Sequence, residues 1–479
     1  MPDTKSLSAP DVKSTSAGAP VSYFHSNTPS ANGLPLSKIQ PGERIEAFMQ
    51  SAGRYSLHCD SDALYQYDGS IWRLKPDSHI RSELAAFYAS RGFKPGAGVF
   101  DNDLKTLKLH SSFGDSPAMG EPAANVIAFD NGVYSIVDRS FSSHCAENWL
   151  RSHNGVHYHP AEAGESLEQN AQNFNQWLNH ASGEDGAKRN AILAALYMVL
   201  AKRYDWQMFF EVTGPGGGGK SIFMNLCKLL AGEESTASTT LRDLCNPMML
   251  THLVDASLVL MPDQPKYHGD SSTLKAMTGG DAVLINPKHR LPYSAVIRAV
   301  VIVATNEPAV FNEHNGGISR RRVLLQFKNV VSDQDTTFMD KLMPELPVII
   351  RYLLGMDAAD AQNALRKQRD SMDAFEAKAD SSSLYGFAAH LELLPDAHGM
   401  LMGNRPLTTN DERPREYLYH AYLCFMMVNG YERPMSRPAF AKSLPSVMKE
   451  KGWKVESLRG KAGNKYNLTL AASADEWLP

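Results

Sequence analysis

The stretch FFEVTGPGGGGKSIFMNLCKLLAG, Phe209 to Gly232, crowds five glycines and a proline between two apolar runs. Glycine weakens any regular element because it has the most backbone freedom to lose. A chain that concentrates it here needs a backbone that bends tightly or that something must approach closely. The flanks supply the frame. Met208 to Thr213 reads as a short buried strand, and from Lys220 the apolar residues Ile222, Phe223, Leu226, Leu229 and Leu230 recur at helical spacing. Strand, flexible loop and helix follow in that order, which makes this region α/β.

Gly214-Pro215-Gly216-Gly217-Gly218-Gly219-Lys220-Ser221 fits G-x-x-x-x-G-K-[ST], the phosphate-binding loop. Backbone N–H groups converge on a phosphate only where no Cβ intervenes, and the helix start adds a partial positive charge. On this pattern Lys220 reaches the β- and γ-phosphates of a nucleotide and the Ser221 hydroxyl holds Mg²⁺. An ordinary Gly-rich turn is the alternative, and the strand–loop–helix context argues against it. The loop alone does not choose between a kinase, a GTPase and a mechanical ATPase. In DASLVLMPDQPKY an apolar strand, Leu258 to Met261, runs up to Asp263, a carboxylate placed to bind the Mg²⁺ water shell or polarise an attacking water. AVVIVATNEP (299–308) ends on Asn306, an amide placed to contact the γ-phosphate or orient that water. Equal intervals separate Lys220 from Asp263 and Asp263 from Asn306. NGGISRRRVLLQF (315–327) then sets a Gly hinge before Arg320, Arg321 and Arg322, where a guanidinium can act on a neighbouring subunit's γ-phosphate. Asp263 or Asn306 alone would be read as a turn; the ordered set carries the signal.

The 479 residues suffice for two or three domains with sizeable cores. With 43% hydrophobic and 21% charged residues and a net charge of −4, the composition is globular. No apolar run reaches membrane-spanning length, and MPDTKSLSAPDVKST lacks a signal peptide's apolar core, so no membrane partner and a cytoplasmic location are expected. Cys59, Cys145, Cys227, Cys245 and Cys424 include no C-x-x-C pair, which points to a reducing compartment and away from a cysteine-built zinc site. Mild overall acidity says little about partners, because a nucleic-acid surface can be local.

Residues 1–40, rich in Ser, Pro, Ala, Gly and Thr, read as a disordered tail. Residues 41–112 read as a small α+β region, with short strands in ALYQYDGSIWRL and a helix around IRSELAAFYASRGF. Within 113–205, NVIAFDNGVYSIVDRSF reads as a hairpin turning at Asp130-Asn131-Gly132. Two amphipathic helices, SLEQNAQNFNQWLNHAS and AKRNAILAALYMVLAKRY, then lead into the core at 206–335. His144, His153, His157 and His159 crowd together, but His157 and His159 alternate along a strand and no helical pair fixes a metal geometry. Solvated or hydrogen-bonded histidines are therefore favoured over zinc. Asp60-Ser61-Asp62 and Asp101-Asn102-Asp103 are D-x-D patterns of the kind a primase uses for two metals. Their region is small for a catalytic domain, and both read as turns.

GPGGGGKS, VLMPDQ, LKAMTGGDAVLINPKHRLPY, VATN and SRRR, in that order, resemble motifs A, B, B′ and C and the arginine finger of superfamily 3 helicases. Within that superfamily they are most similar to the helicase parts of satellite-phage, plasmid and poxvirus-type primase–helicases. The resemblance covers about residues 120–335 and extends more weakly to the C-terminal domain. It implies an AAA+-like P-loop ATPase core with ATP and Mg²⁺ as cofactors. It also implies a homo-hexameric ring moving 3′ to 5′ on single-stranded DNA, with forked DNA as substrate and a separate primase or replication-initiation protein as a further partner. On this likeness Gly214, Pro215, Gly216, Gly217, Gly218, Gly219, Lys220 and Ser221 hold nucleotide, and Ser221 and Asp263 hold the metal. Lys220, Asp263 and Asn306 carry catalysis, with Arg321, and next Arg320, as the finger and Arg322 left to structure. The sequence departs at motif B: many members carry two adjacent acids, whereas Gln264 follows Asp263 here. Either Asp263 serves alone through water, or another carboxylate such as Asp270 assists. Val283 to Pro292 alternates around Asn286-Pro287-Lys288-His289-Arg290 as a hairpin with a basic tip would. In relatives that hairpin enters the ring channel, which makes Lys288, His289 and Arg290 phosphate contacts.

Residues 336–383 read as a helical lid and linker, the linker centred on KQRDSMDAFEAKADSSS. In 384–479, REYLYHAYLCFMMVNGY is an apolar helix and SRPAFAKSLPSVMKEKGW a Ser-started helix that Pro445 can kink. KVESLRGKAGNKYNLTL is a hairpin turning at Gly460 to Gly463. Helix, helix and basic hairpin read as a winged-helix-like DNA-binding domain. Residues 431–470 hold nine Lys or Arg against three Asp or Glu, and Arg459, Lys461 and Lys465 fall on the wing. A solvated basic face is the alternative. Three functions fit the chain: a ring helicase replicating a phage, satellite or plasmid-like element, a P-loop switch that regulates a partner complex without unwinding, and a complete primase–helicase.

Overall fold

Apolar runs too short for helices and too continuous for a half-exposed sheet must pair as strands buried on both faces. Five such runs do so in the computed structural model, which describes residues 35–479 apart from 113–117, 266, 289, 312–316, 333–334, 373, 376–382, 407–411, 432–433 and 462. They are β1 (Phe209–Thr213), β2 (Thr236–Ser238), β3 (Leu258–Gln264), β4 (Val300–Thr305) and β5 (Arg322–Gln326). All pair in parallel, in the order β5-β1-β4-β3-β2. The two-residue alternation of a strand splits their side chains between two cores. Phe210, Val212, Ile302, Ala304 and Val323 join one, while Phe209, Val259, Val301 and Val303 join the other. The glycine-rich loop connects β1 to α1 (Lys220–Ala231), so it lies at the C-terminal edge of the sheet. Of the two lead-in helices, the first is broken at Ala171 into Leu167–Asn170 and Gln172–Ser182. The second, Gly186–Leu200, starts at Asp185, whose side chain accepts from the N–H of Ala187 and Lys188. It is buried continuously from Ala191 to Leu200, as a helix with no polar face must be.

The N-terminal region places the antiparallel strands Tyr55–His58, Ala63–Tyr67 and Trp72–Lys75 beside helices Pro41–Ala52, Asp77–Ser90 and Ala97–His110. Two expectations need correction here. Most of the 1–40 tail lies outside the described residues, but Leu36 and Ile39 are buried in this region's core, so the packed chain begins earlier than composition indicated. Asp101-Asn102-Asp103 lies inside a helix, not a turn, because Leu104 and Leu107 anchor that segment as an amphipathic face. The hairpin at Val126–Phe129 and Gly132–Ser135 turns at Asp130-Asn131 as read, with Ser140–Ser142 as a third strand.

Beyond the sheet, helices Leu346–Leu354 and Ala358–Arg369 pack on the first core. The segment read as linker is partly structural, since Ala374 and Phe375 are buried. A separate core then joins helices Ser383–Ala389, Leu418–Val428 and Arg437–Glu450 with strands Leu391–Leu393 and Leu468–Leu470. Pro445 sits within the last helix without ending it. The hairpin Ser457–Gly460 and Gly463–Tyr466 projects exposed residues beside this core. Among the described residues no helix is long and apolar enough to cross a membrane.

Candidate functional site

The loop's glycines are required by geometry at definite points. Gly214 has φ 138° and Gly219 φ 95°, conformations that L side chains rarely adopt. A Cβ at Gly214 or Gly218 would strike the Phe327 carbonyl oxygen, because the chain leaving β5 crosses the loop there. Val331 N–H donates to Gly217 O at 3.3 Å, extending that crossing. A Cβ at Gly216 would meet nothing within 4 Å, so the loop presents open backbone on that side. An anion can therefore approach the main chain where the side chains are missing.

Lys220, the first residue of α1, is buried to 8% exposure. Its ammonium donates to the loop's own carbonyls, at Gly214 and, at 3.0 Å, at Pro215, and to Asn306 Oδ1 at 3.2 Å. Burial pulls its pKa down, and the nearby Asp263 carboxylate opposes that shift. Asn306 stands just past the C-terminal end of β4, the strand between β1 and β3, which is why the topology brings it to Lys220. Asp263 is exposed and sits on a bulge: the β3–β4 register shifts between Met261 opposite Val303 and Gln264 opposite Thr305. Its φ of 43° is left-handed, a costly choice for a non-glycine residue that re-aims the carboxylate out of the sheet. Ser221 is exposed at the head of the helix.

The departure at motif B has a structural reading. Gln264 is buried, accepts from Leu241 N–H at 2.9 Å and donates to Pro262 O at 2.8 Å. Only an amide both accepts and donates in this way; an ionised carboxylate could not hold Pro262 O. Asp270 is occupied differently, accepting from the N–H and hydroxyl of Ser272 at the start of helix Ser272–Gly279, bonds that lower its pKa.

Residues that the sequence reading missed support the site from behind. Glu211 of β1 is fully buried; Arg322 of β5 pairs with it, and Ala309 N–H donates to it at 2.6 Å. A charge inside FFEVT was the available signal. Trp177, in helix Gln172–Ser182, places its buried indole N–H, which has no hydrogen-bond partner among the described residues, against the loop at Gly219. No pattern in the sequence marked it.

Other expected residues are spread out. Arg321 is buried and donates to Gly317 O at 2.8 Å, whereas Arg320 is exposed. This reverses their order as candidates for reaching another subunit. Gly316 of the Gly hinge and His289 lie outside the described residues. The B′ hairpin is shorter than the alternation indicated, Val283–Ile285 paired with Tyr293–Ala295. Lys288 is exposed, but Arg290 donates to Ser61 O at 2.9 Å, so the tip rests on the N-terminal region. Arg459, Lys461 and Lys465 are exposed on the C-terminal hairpin, and no carboxylate among the described residues pairs with them. Three of the four D-x-D carboxylates are engaged elsewhere: Asp62 with Lys108, Asp101 with Arg81, and the buried Asp103 with Arg44 and Tyr88. His157 pairs with Asp130 at 3.0 Å, and His153 accepts from Gly155 N–H.

A parallel five-stranded α/β sheet whose C-terminal edge gathers a glycine loop, a lysine, a carboxylate and an amide fits a P-loop-like core. The family model described as Poxvirus D5 protein-like matches residues 381–479, and a family of unknown function (DUF5906) matches 212–322. The solved phage P4 origin-binding domain is 40% identical, 21% of this chain covering 99% of it, with a TM-score of 0.20. A provisionally named helicase of Acanthamoeba polyphaga mimivirus is 24% identical over 220 residues, 42% of this chain and 22% of that protein. An uncharacterised mitochondrial protein of Marchantia polymorpha is 27% identical over 121 residues, 23% of this chain and 70% of that protein. The chain belongs to the phage- and poxvirus-type primase–helicase family.

Proposed function

We propose that this chain is an ATP-dependent DNA helicase that works as a homo-hexameric, AAA+-like ring in replication of a phage, satellite or plasmid-like element. The observation that carries the reading is the meeting of Lys220 with Asn306 at the sheet edge, beside Asp263 on its bulge. The family membership and the likeness to an origin-binding domain support DNA as the partner.

The residues fit ATP and Mg²⁺: open backbone at Gly216, a buried ammonium at Lys220, and an exposed hydroxyl and carboxylate at Ser221 and Asp263. Ser221 and Asp263 would hold Mg²⁺, which supplies neutralisation of charge on the transferred phosphoryl group. Lys220 exchanges the Gly214 and Pro215 carbonyls for phosphate oxygens, a better partner for a desolvated cation. Asn306 stays within reach and orients the attacking water. Asp263 accepts that water's proton directly or through a second water, because Gln264 is committed to Leu241 and Pro262. Arg320 is the exposed guanidinium that reaches the next subunit's γ-phosphate. Lys288 and Arg290 track the strand by its phosphates, 3′ to 5′, and Arg459, Lys461 and Lys465 hold the duplex. The test is ATP hydrolysis with and without single-stranded DNA. Hydrolysis should rise with DNA and fall at least about a hundredfold in Lys220→Ala. An ATPase indifferent to DNA would favour the regulatory switch instead.

A further inference from the structure

The turn that leads into β5 is buried at its ends and open at its corners. Arg321 N–H donates to Ile318 O at 2.9 Å, and both of those residues are buried. Ser319 and Arg320 are therefore the corner residues, and Arg320 is exposed. A guanidinium that must meet charge on another subunit needs a backbone that stays in place. A displacement of about 1 Å can cost on the order of a hundredfold in rate, and the corners of a surface turn are mobile unless something holds them.

Both corners are anchored from outside the sheet. Arg369, the last residue of helix Ala358–Arg369, donates from Nη1 to Arg320 O at 2.9 Å. Tyr385, in helix Ser383–Ala389 of the C-terminal core, sets its hydroxyl 2.8 Å from that of Ser319. Its ring is buried, 5.6 Å from the Phe375 ring between centroids. Phenylalanine would fill that space with no hydroxyl to desolvate. Glu450, which ends helix Arg437–Glu450, faces both anchors. Burial, and after it the Glu450 carboxylate, raise the Tyr385 pKa well above its ordinary value. An ionised carboxylate only accepts, so Tyr385 donates to Glu450 and accepts from the Ser319 hydroxyl. Lys451 follows and donates to Ala388 O at 3.2 Å and Leu391 O at 3.1 Å, fixing this helix end against the helix that carries Tyr385.

We infer that Tyr385 is a positioning residue for Arg320, holding the finger turn through Ser319 from the C-terminal core. The inference rests on the reading of Arg320 as the group that reaches the next subunit's γ-phosphate. Tyr385 acts only through that turn, so its effect falls on the step that Arg320 serves and not on nucleotide binding.

The experiment is steady-state ATP hydrolysis by the full chain, with single-stranded DNA, for Tyr385→Phe, Arg320→Ala and the two combined. Tyr385→Phe keeps the ring and removes the bond. Its kcat should fall about tenfold with KM for ATP within about twofold, since a finger acts on transition-state charge. In the Arg320→Ala background, Tyr385→Phe should lower kcat no further, whereas a merely structural role would cost as much again. Ser319→Ala removes the same bond from the turn side without touching the C-terminal core, and should lower kcat by a similar factor even if Tyr385→Phe folds poorly. Wild-type kcat in both Tyr385→Phe and Ser319→Ala, with Arg320→Ala impaired, overturns the positioning role alone. An additive loss in the combined variant overturns it as well. Wild-type hydrolysis by Arg320→Ala would instead overturn the finger reading, and this inference with it.

Discussion

Gly214 and Gly216 stand two positions apart in the loop and do not tolerate a side chain equally. Gly214→Ala forces a Cβ onto the Phe327 carbonyl at φ 138°, where backbone rather than a flexible side chain must yield, and should cost about 2–4 kcal/mol. Gly216→Ala meets open space and should leave stability within about 1 kcal/mol while weakening nucleotide binding. Denaturant titration of the two variants checks this; equal stability would mean that the crossing at Phe327 is wrong. Glu211→Gln leaves Arg322 buried without its counter-charge and should cost roughly 3–5 kcal/mol. Glu211→Gln with Arg322→Met should recover most of it, because Gln still accepts from Ala309 N–H. No recovery would show that the pair acts through something other than uncompensated charge. The loop was legible because its motif is a statement about φ and missing Cβ atoms, both local. Glu211 was visible as a charge in an apolar strand, but its partner was not. That pairing exists only because β5 lies beside β1, and no local pattern fixes strand order.

At the scale of elements, the same contrast holds. β1 and β4 were read from continuous apolar runs to within a residue, and β3 was read three residues short at its C-terminal end, since double-sided burial leaves a mark on composition that stops at exposed Pro262 and Asp263. The bulge that aims Asp263 was invisible, because it depends on the register between β3 and β4. So was the helix over Asp101 to Asp103, where Leu104 and Leu107 outweigh the acidic turn signal. The B′ hairpin shows what alternation cannot tell: its strands are three residues each, and its tip is set by Arg290 against Ser61 of a distant region. Lys288 is an exposed basic group there, as is Arg290. Lys288→Ala should leave basal ATPase within about twofold while DNA stimulation and unwinding fall together, as expected when one phosphate contact is removed from the moving element. Normal unwinding with Lys288→Ala would remove this hairpin from the DNA path, and lost basal ATPase would point to damage of the core.

For the whole molecule, the claim is that sites are shared between subunits. Arg320→Ala should bind ATP nearly as wild type and hydrolyse it at least about a hundredfold more slowly, since a finger acts on transition-state charge. Mixed with Lys220→Ala subunits, it should regain part of that activity, because each variant keeps the half-site the other lacks. No recovery after demonstrated subunit exchange would confine each site to one chain. Arg321→Ala, by contrast, should lower stability more than catalysis, given its burial and its bond to Gly317. The central claim is that hydrolysis at the Lys220, Asp263 and Asn306 edge drives strand separation, and unwinding of a forked duplex measures it most directly. Wild type should separate strands only with hydrolysable ATP and a 3′ single-stranded tail, and Lys220→Ala should separate none. Unwinding that survives Lys220→Ala, or vigorous DNA-stimulated hydrolysis by a chain that never unwinds the fork, would contradict it.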